Sequence, residues 1–206
     1  MKTYCINLDS RPRKWKRVQK EAAKVDIKLE RFSGIKTDYG HIGCTNSHKA
    51  ILDKAKGNGI FMIIEDDFKI CVESPKAMLA LAMSQLPDDW DMLYLGATLS
   101  KSLDIFSSNL YRLQGGLAAH AIIYNNQNGV IDYILKSQTG PILDKFYRDV
   151  VQKKFNCFIT FPMMATQRAG RSDILNKRTS YKNIERFYKK HVTDHHYYIG
   201  HHPFRL

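Results

Sequence analysis

In "GIFMIIEDDFKI" (Gly59 to Ile70), four apolar residues, Phe61 to Ile64, run directly into three consecutive carboxylates, Glu65, Asp66 and Asp67. The β-branched and aromatic run, entered from a glycine turn, predicts a buried strand. Three adjacent carboxylates repel one another, so a fold that gathers them either holds a cation there or leaves some of them in water. This constrains the chain strongly: a core strand must end where a cation or water can reach it. The acidic triplet also stands in a chain whose formal net charge is +12.

The remaining sequence alternates between strand-like and helix-like stretches. "TYCINL" (Thr3 to Leu8) reads as a buried strand and "RPRKWKRVQKEAAKV" as a helix with basic residues along its surface. "IKLERFSGI" predicts a second strand, and "CTNSHKAILDKAKGNG" a helix stopped by Gly57 to Gly59, with Thr45, Asn46 or Ser47 as N-cap. After the triplet, "SPKAMLALAMSQL" has Ser74 as cap and Pro75 at the first helical position. "WDMLYLG" and "LAAHAIIYN" read as strands, "NQNGVIDYILKS" and "GPILDKFYRDVVQKKF" as helices, and "CFITFPMMA" as a last strand. The order predicts an α/β fold, a layered sheet with helices on both faces. A single domain over residues 1–175 is expected, followed by a polar tail, 176–206, packed on it, with one short helix near Tyr181 to Lys190.

Length and composition fit this picture. At 206 residues and 44% hydrophobic content the chain can bury one substantial core. Its longest apolar runs, such as "LAAHAIIY", fall far short of the roughly 20 residues of a membrane span, and "MKTYCINLD" lacks the plan of a signal peptide. A soluble protein of the cytoplasm is expected, with peripheral membrane contact left open. Cys5, Cys44, Cys71 and Cys157 form no CxxC pair, which fits a reduced compartment and not a structural zinc site. The excess of Lys and Arg, 32 against 20 Asp and Glu, favours anionic partners: nucleic acid, a phosphate-bearing small molecule or an acidic membrane face.

In open α/β sheets ligands bind at the carboxyl ends of strands, where the triplet lies. Glu65 and Asp67, two apart, share a side if the strand continues, and as a pair they suit a hard divalent cation. Two metal-dependent chemistries follow. In one, Mn²⁺ or Mg²⁺ bridges the diphosphate of a sugar nucleotide and stabilises the leaving phosphate. In the other, Asp67 and Lys69 of "DFK" imitate the core of a restriction-type nuclease with Asp53 as partner, which the basic charge would also suit. Asp53 falls inside a predicted helix, which ranks the nuclease or nucleic-acid-binding reading below the first.

"INLDSRPRKWKRV", "GHIGCTNSHKAIL", "FMIIEDD", "DMLYLG", "AAHAIIYN", "PILD" and "FPMMATQRAGRSDI" together resemble, in order and spacing, the glycosyltransferase family 25 proteins. These are the lipooligosaccharide galactosyltransferases of bacteria and the related collagen galactosyltransferase group. The resemblance covers about Lys2 to Ile174. It implies a GT-A-type nucleotide-diphospho-sugar transferase domain with a mixed, mostly parallel sheet. It also implies an inverting transfer from a nucleotide sugar, UDP-linked, to a hydroxyl of a glycan, glycolipid or glycoprotein, and a metal-binding D-x-D-like motif at Glu65-Asp66-Asp67. Asp67 is the expected direct ligand, with Glu65 and Asp66 reaching the metal through water or contacting the ribose.

Several residues make physical sense beside that reading. Asn7, ending the first strand, can hydrogen-bond a base or ribose, and Arg11 and Arg13 can approach the diphosphate. Gly43 permits close backbone approach, and Ser47 and His48, at an expected helix start, would face the nucleotide. His120 in "AAHAII" is either a core histidine or a group near the sugar, and Gly115 and Gly116 before it suit a backbone passing close to the donor. An inverting transfer needs a base for the acceptor hydroxyl. Asp144 is the candidate, since Gly140-Pro141 marks a turn that places it in a helix's first turn, with Asp149 and Asp173 as rivals. Gln167, Arg168, Arg171, Ser172 and Asp173 are expected in a loop that closes over the diphosphate. The tail "HVTDHHYYIGHHPFRL" carries five of the eight histidines, and its composition does not assign them a role. A catalytically inactive module of the same fold is the remaining alternative.

Overall fold

The computed structural model describes residues 1–100, 103–172 and 177–179. The expected short helix near Tyr181 to Lys190, the histidine-rich tail and Asp173 lie outside the described residues. Strands β1 (Lys2–Asn7), β2 (Leu29–Ser33), β3 (Ile60–Glu65), β4 (Phe68–Ile70), β5 (Met92–Tyr94), β6 (Thr98–Leu99) and β7 (Asp104–Ile105) come first. They are followed by β8 (Leu110–Arg112), β9 (Gly116–Leu117), β10 (Ala121–Asn125), β11 (Cys157–Thr160), β12 (Ala165–Gln167), β13 (Gly170–Ser172) and β14 (Lys177–Thr179). The helices are α1 (Pro12–Ala23), α2 (Gly40–Ala55), α3 (Pro75–Ser84), α4 (Val130–Ser137) and α5 (Leu143–Phe146). From α5 the chain continues through a π-helical turn, Tyr147–Val151, into a last helical turn, Gln152–Lys154.

The main sheet has eight strands in the order β2-β1-β3-β10-β5-β11-β8-β7. Pairings of β1 with β2 and β3, and of β11 with β5, are parallel. Only β10 and β8 run against the common direction. The apolar runs are continuous because both faces of the sheet are covered. Along β3, Phe61 and Ile63 join the core with Tyr4, Ile51, Tyr124, Ile131 and Tyr147, whereas Met62 and Ile64 join Cys5, Val18, Ala82 and Phe158 on the opposite face. Fully burying such side chains contributes roughly 1.5–3 kcal/mol each, and the alternation fixes the register of the strand. Among the described residues no helix is long and apolar enough to cross a membrane.

Helix α2 begins at Gly40, more than a turn before the expected Thr45–Ser47 cap. Glycine and β-branched residues make this turn intrinsically weak, so tertiary contact decides it. Gly43 packs against the loop from β2, and a Cβ there would sit 2.4 Å from the Ile35 carbonyl oxygen. Ser47, deep in the helix, accepts from the Ile35 amide at 2.8 Å and donates to the Gly43 carbonyl at 2.7 Å. The close approach that glycine permits here is therefore to the chain itself. Ser74 stands at the N-cap position of α3, but its side chain makes no capping bond.

Candidate active site

The sheet order reverses beside β1, and that is where the carboxyl ends of parallel strands leave a crevice. In the ladder Ile6 pairs with Glu65 and Asn7 with Ser33. Strand β10 runs the other way, so its entrance lies at the same edge, and the Glu65 amide donates to the His120 carbonyl at 3.0 Å. The antiparallel direction of one strand thus brings His120 beside the triplet, although it precedes the strand rather than lying within it.

Residues 66 and 67 form a turn between β3 and β4, so the three carboxylates diverge. Asp66 faces α1: Asn7 Nδ2 donates to it at 2.7 Å and Lys14 Nζ at 3.1 Å. Asn7 is wholly buried and both hydrogens of its amide are engaged, since Nδ2 also donates to the Arg11 carbonyl, while Oδ1 accepts from Arg31. Glu65 and Asp67 instead share one neighbour. The Gln167 amide nitrogen lies 3.5 Å from Glu65 Oε2 and 3.4 Å from Asp67 Oδ2. It occupies the position that a cation would take between two carboxylates.

The other side of Glu65 meets α2. His48 Nε2 lies 3.2 Å and Cys44 Sγ 3.6 Å from Oε1. Asp144, in the first turn of α5, accepts from the Ala118 amide at 3.1 Å. Thr45 sets that turn in place by donating to the Pro141 carbonyl at 2.9 Å and accepting from the Leu143 amide at 3.1 Å. The Gln152 carboxamide oxygen takes the amides of Gly115 and Gly116, which shapes the loop that presents Ala118. Ala118 itself has φ 81°, a conformation that costs a non-glycine residue energy and recurs at functional sites.

Burial dominates the protonation of this cluster. It pushes Asp67 up to about 8, aided by the charges of Glu65 and Asp66, and raises Asp66 despite Lys14 and Asn7. Burial and the Glu65 charge raise Asp144 to about 6, opposed by His48 and the Ala118 amide. Burial also works on Glu65, but the His48 hydrogen bond and charge outweigh it and hold that carboxyl below its usual range. The His120 ring is pulled down by burial, opposed by the charge of Glu65 and then by the Ala165 backbone. Neither of its ring nitrogens reaches hydrogen-bonding geometry with a partner.

A cleft of about 750 Å³ opens over the triplet, lined by the ends of β1 and β2, the loop to α2, Cys44, the triplet and Gln167, with His48, His120 and Asp144 behind its lining. Tyr39, 64% exposed, stands at its mouth. An adjoining pocket of about 380 Å³ is lined by Arg11, Arg13, Lys14, Arg17, Arg168 and the two aspartates. Arg168 straps the end of β12 across this region: its amide donates to the Asp67 carbonyl at 2.7 Å and its guanidinium pairs with buried Glu21. The backbone at Arg171 is part of β13, and its side chain lies outside what is described.

Of the residues expected from sequence, Glu65, Asp66, Asp67, Asn7, His48, His120 and Asp144 thus gather at one edge of the sheet, with Arg11 lining the cleft. Ser47 lines it too, but both roles of its hydroxyl are taken up by backbone. The nuclease-like set does not assemble. Asp53 sits in solvent, paired with Lys56, at the end of α2 that leads into the start of β3, about 17 Å of strand from the triplet. Cys44 and Lys14 enter the site without a role assigned from sequence; Thr45 enters as a tether of α5 rather than as a helix cap, and Gln167, expected in a loop over the diphosphate, instead ends β12 with its amide between Glu65 and Asp67. Only the pair Cys44 and His48, one helical turn apart, carried a readable signal.

No family model matches the chain, and no curated protein matches it. Among solved structures, the chain is similar to a glycosyltransferase involved in the glycosylation of the major capsid of PBCV-1. The two are 9% identical with a TM-score of 0.52, over 85% of this chain and 95% of that one. A UDP-glucose pyrophosphorylase complexed with UDP-glucose aligns over 94% of this chain and 81% of its own, at 10% identity and a TM-score of 0.48. At these identities the likeness is one of fold. The chain adopts a mixed α/β, GT-A-like fold, with its crevice at the strand ends where the acidic triplet lies.

Proposed function

We propose that the chain is a metal-dependent inverting glycosyltransferase that moves a sugar from a nucleotide-sugar donor, UDP-linked, to a hydroxyl of a glycan acceptor. One observation carries the reading: Glu65 Oε2 and Asp67 face a common point, at the carboxyl end of a core strand, inside a cleft rimmed by cations. The donor set fits a hard divalent ion such as Mn²⁺ or Mg²⁺, because both groups offer oxygen and the point between them is met, among the described residues, by the neutral Gln167 amide. Asp66, committed to Lys14 and Asn7, serves as the wall that orients Lys14 rather than as a ligand. A bound divalent ion would offset charge on the donor diphosphate.

This chain's own residues would do the rest. Lys14 and Arg11 meet the remaining diphosphate oxygens. Tyr39 offers a ring face to the base, and the loop to α2 encloses the ribose. Asp144 takes the proton of the acceptor hydroxyl as that oxygen bonds to the anomeric carbon from the face opposite the diphosphate, whose bond to the same carbon breaks. A pKa near 6 suits a group that must be ionised at neutral pH yet accept a proton. His48 holds Glu65, and the strained Ala118 amide holds Asp144. The acceptor class, a glycan on a lipid or a protein, belongs to the same proposal, and so does any contact with a membrane surface.

Calorimetric titration of UDP- and GDP-linked sugars, with Mn²⁺ and with EDTA, tests it. Metal-dependent binding of one donor, lost in Asp67→Ala, is the expected result. Absence of binding by every donor in either condition would leave an inactive module of this fold.

A further inference from the structure

Glu65 presents two oxygens to two different environments, and the proposed donor site uses only Oε2. On the side of Oε1, Cys44 and His48 leave the same face of α2, four residues apart. His48 Nε2 is 3.2 Å and Cys44 Sγ 3.6 Å from Oε1, and the three atoms all lie within 4.8 Å of one another. A tetrahedral ion with bonds of about 2.0–2.1 Å to nitrogen and oxygen and about 2.3 Å to sulfur sets its N···O edge at about 3.4 Å and its S···O edge at about 3.6 Å. The two observed separations fall close to those edges, and the Sγ···Nε2 separation lies within 4.8 Å.

We propose that Cys44, His48 and Glu65 form a second cation site, for a divalent ion of the zinc class, sharing Glu65 with the hard-cation position. Thiol, imidazole and carboxylate together select a borderline-soft ion over Mg²⁺ or Mn²⁺, and binding releases the thiol proton to solvent. Three protein ligands leave a fourth position. Cys44 and Glu65 line the cleft, so water or substrate can reach it. His120, wholly buried at the same strand end, lies outside the three-ligand group and keeps a second imidazole near Glu65. An ion here would fasten Oε1 to α2 and keep Oε2 turned toward Asp67. The scattered cysteines conceal such a site from a search for paired cysteines, because it takes one ligand each of three residue types.

Co²⁺ is the probe, added under reducing conditions to full-length protein stripped with EDTA. The expected result is tetrahedral visible bands with a thiolate-to-cobalt charge-transfer band in the near ultraviolet. That band should be lost in Cys44→Ser and retained in Cys71→Ser, with affinity falling about 10- to 100-fold in His48→Ala. Histidines of the C-terminal segment can bind cobalt but cannot give a thiolate band. A spectrum without that band, or a band that survives Cys44→Ser, would overturn the site. Should Cys44→Ser fail to fold, alkylation of the wild type decides: Zn²⁺ should slow modification of Cys44 at least tenfold and leave exposed Cys71 unchanged, and equal rates would refute the proposal. Asp67→Ala should keep the cobalt band while losing Mn²⁺-dependent donor binding, so the two sites fail separately.

Discussion

The triplet stands between two walls that treat negative charge differently. On the α1 side, Lys14 and the Asn7 amide already meet Asp66, and further guanidinium groups line the pocket beyond it. On the side of α2, β10 and α5, the neighbours of Glu65, Asp67 and Asp144 are neutral or weakly basic: a thiol, two buried histidines, an amide side chain and a backbone N–H. The first wall is neutralised by the fold, and the second is left to be neutralised by something that binds. That difference separates, within three consecutive residues, a carboxylate met by the fold from two that the proposed function gives to a bound cation.

Substituting on the second wall should have the largest effect. Asp67→Asn removes the charge while keeping shape, and transferase turnover with Mn²⁺ is expected to fall by about 10³-fold, the scale of losing a preorganised electrostatic contact. Asp66→Asn should cost far less, since its partners are supplied by the protein. Steady-state rates for the pair test this, and equal losses would erase the distinction between the walls. Next comes Asp144→Asn, with an expected loss of about 10²- to 10⁴-fold at unchanged donor affinity. At limiting Mn²⁺ the wild-type kcat/KM should rise with pH through about 6 as Asp144 ionises and again through about 8 as Asp67 gives up its proton to the cation. Loading the cation cancels repulsion from Glu65, so the Asp144 limb should move below 6 when Mn²⁺ is saturating.

The neutral wall was only partly legible in the sequence, and the reason is physical. Strands β1, β3, β10 and β11 announce themselves because two covered faces demand unbroken apolar runs. The short strands between Thr98 and Leu117 escape notice, since two or three residues carry no periodicity and are held only by their partners. The triplet, His48, His120 and Asp144 could be picked out as candidates because their residue types stand out in apolar or turn contexts. The tethering by Thr45 could not, since it acts through contacts with an element remote in sequence, and Gln167 was legible only as part of a loop over the diphosphate, because its place between Glu65 and Asp67 depends on the pairing of β12 with β4. The start of α2 was misplaced because Gly40 and Gly43 read as loop, whereas packing of Gly43 against Ile35 carries the helix through them.

Stability without metal gives a smaller effect that tests the same wall. The pKa of Asp67 in the fold lies near 8, above its ordinary value of 3.8. The folded state therefore holds that proton more tightly than the unfolded chain, and the linkage penalty is absent below about pH 4, grows as pH rises, and is complete above about 8. Asp66 and Asp144 act in the same direction, and Glu65 in the opposite one. In EDTA, the Tm of wild type should fall relative to Asp67→Asn between pH 5 and pH 8, by about 2–4 °C for each kcal/mol involved. Mn²⁺ should close the gap at pH 8, which thermal scans at the two pH values would reveal. A gap insensitive to pH would mean that Asp67 is ionised in the folded state without metal.

The smallest expected effect lies on the charged wall. Lys14 Nζ is 3.1 Å from Asp66, with 25% of its side chain and 12% of the aspartate's exposed, so the pair is shielded but reachable from the cleft. Lys14→Met keeps the aliphatic stem against the protein and removes the ammonium. Among the described residues Asp66 then keeps the Asn7 amide as its partner, and the cleft loses one cation. Donor affinity should weaken by about 5- to 10-fold, about 1 kcal/mol, with a shallower dependence on salt, while the rate at saturating donor changes little. Calorimetry of the UDP-sugar at two ionic strengths measures both. If affinity holds and only stability drops, Lys14 serves Asp66 alone, and the charged wall is scaffold rather than part of the donor site. If the saturated rate falls as well, Lys14 offsets charge on the leaving diphosphate, and the contrast between the walls narrows to which of them also needs a metal.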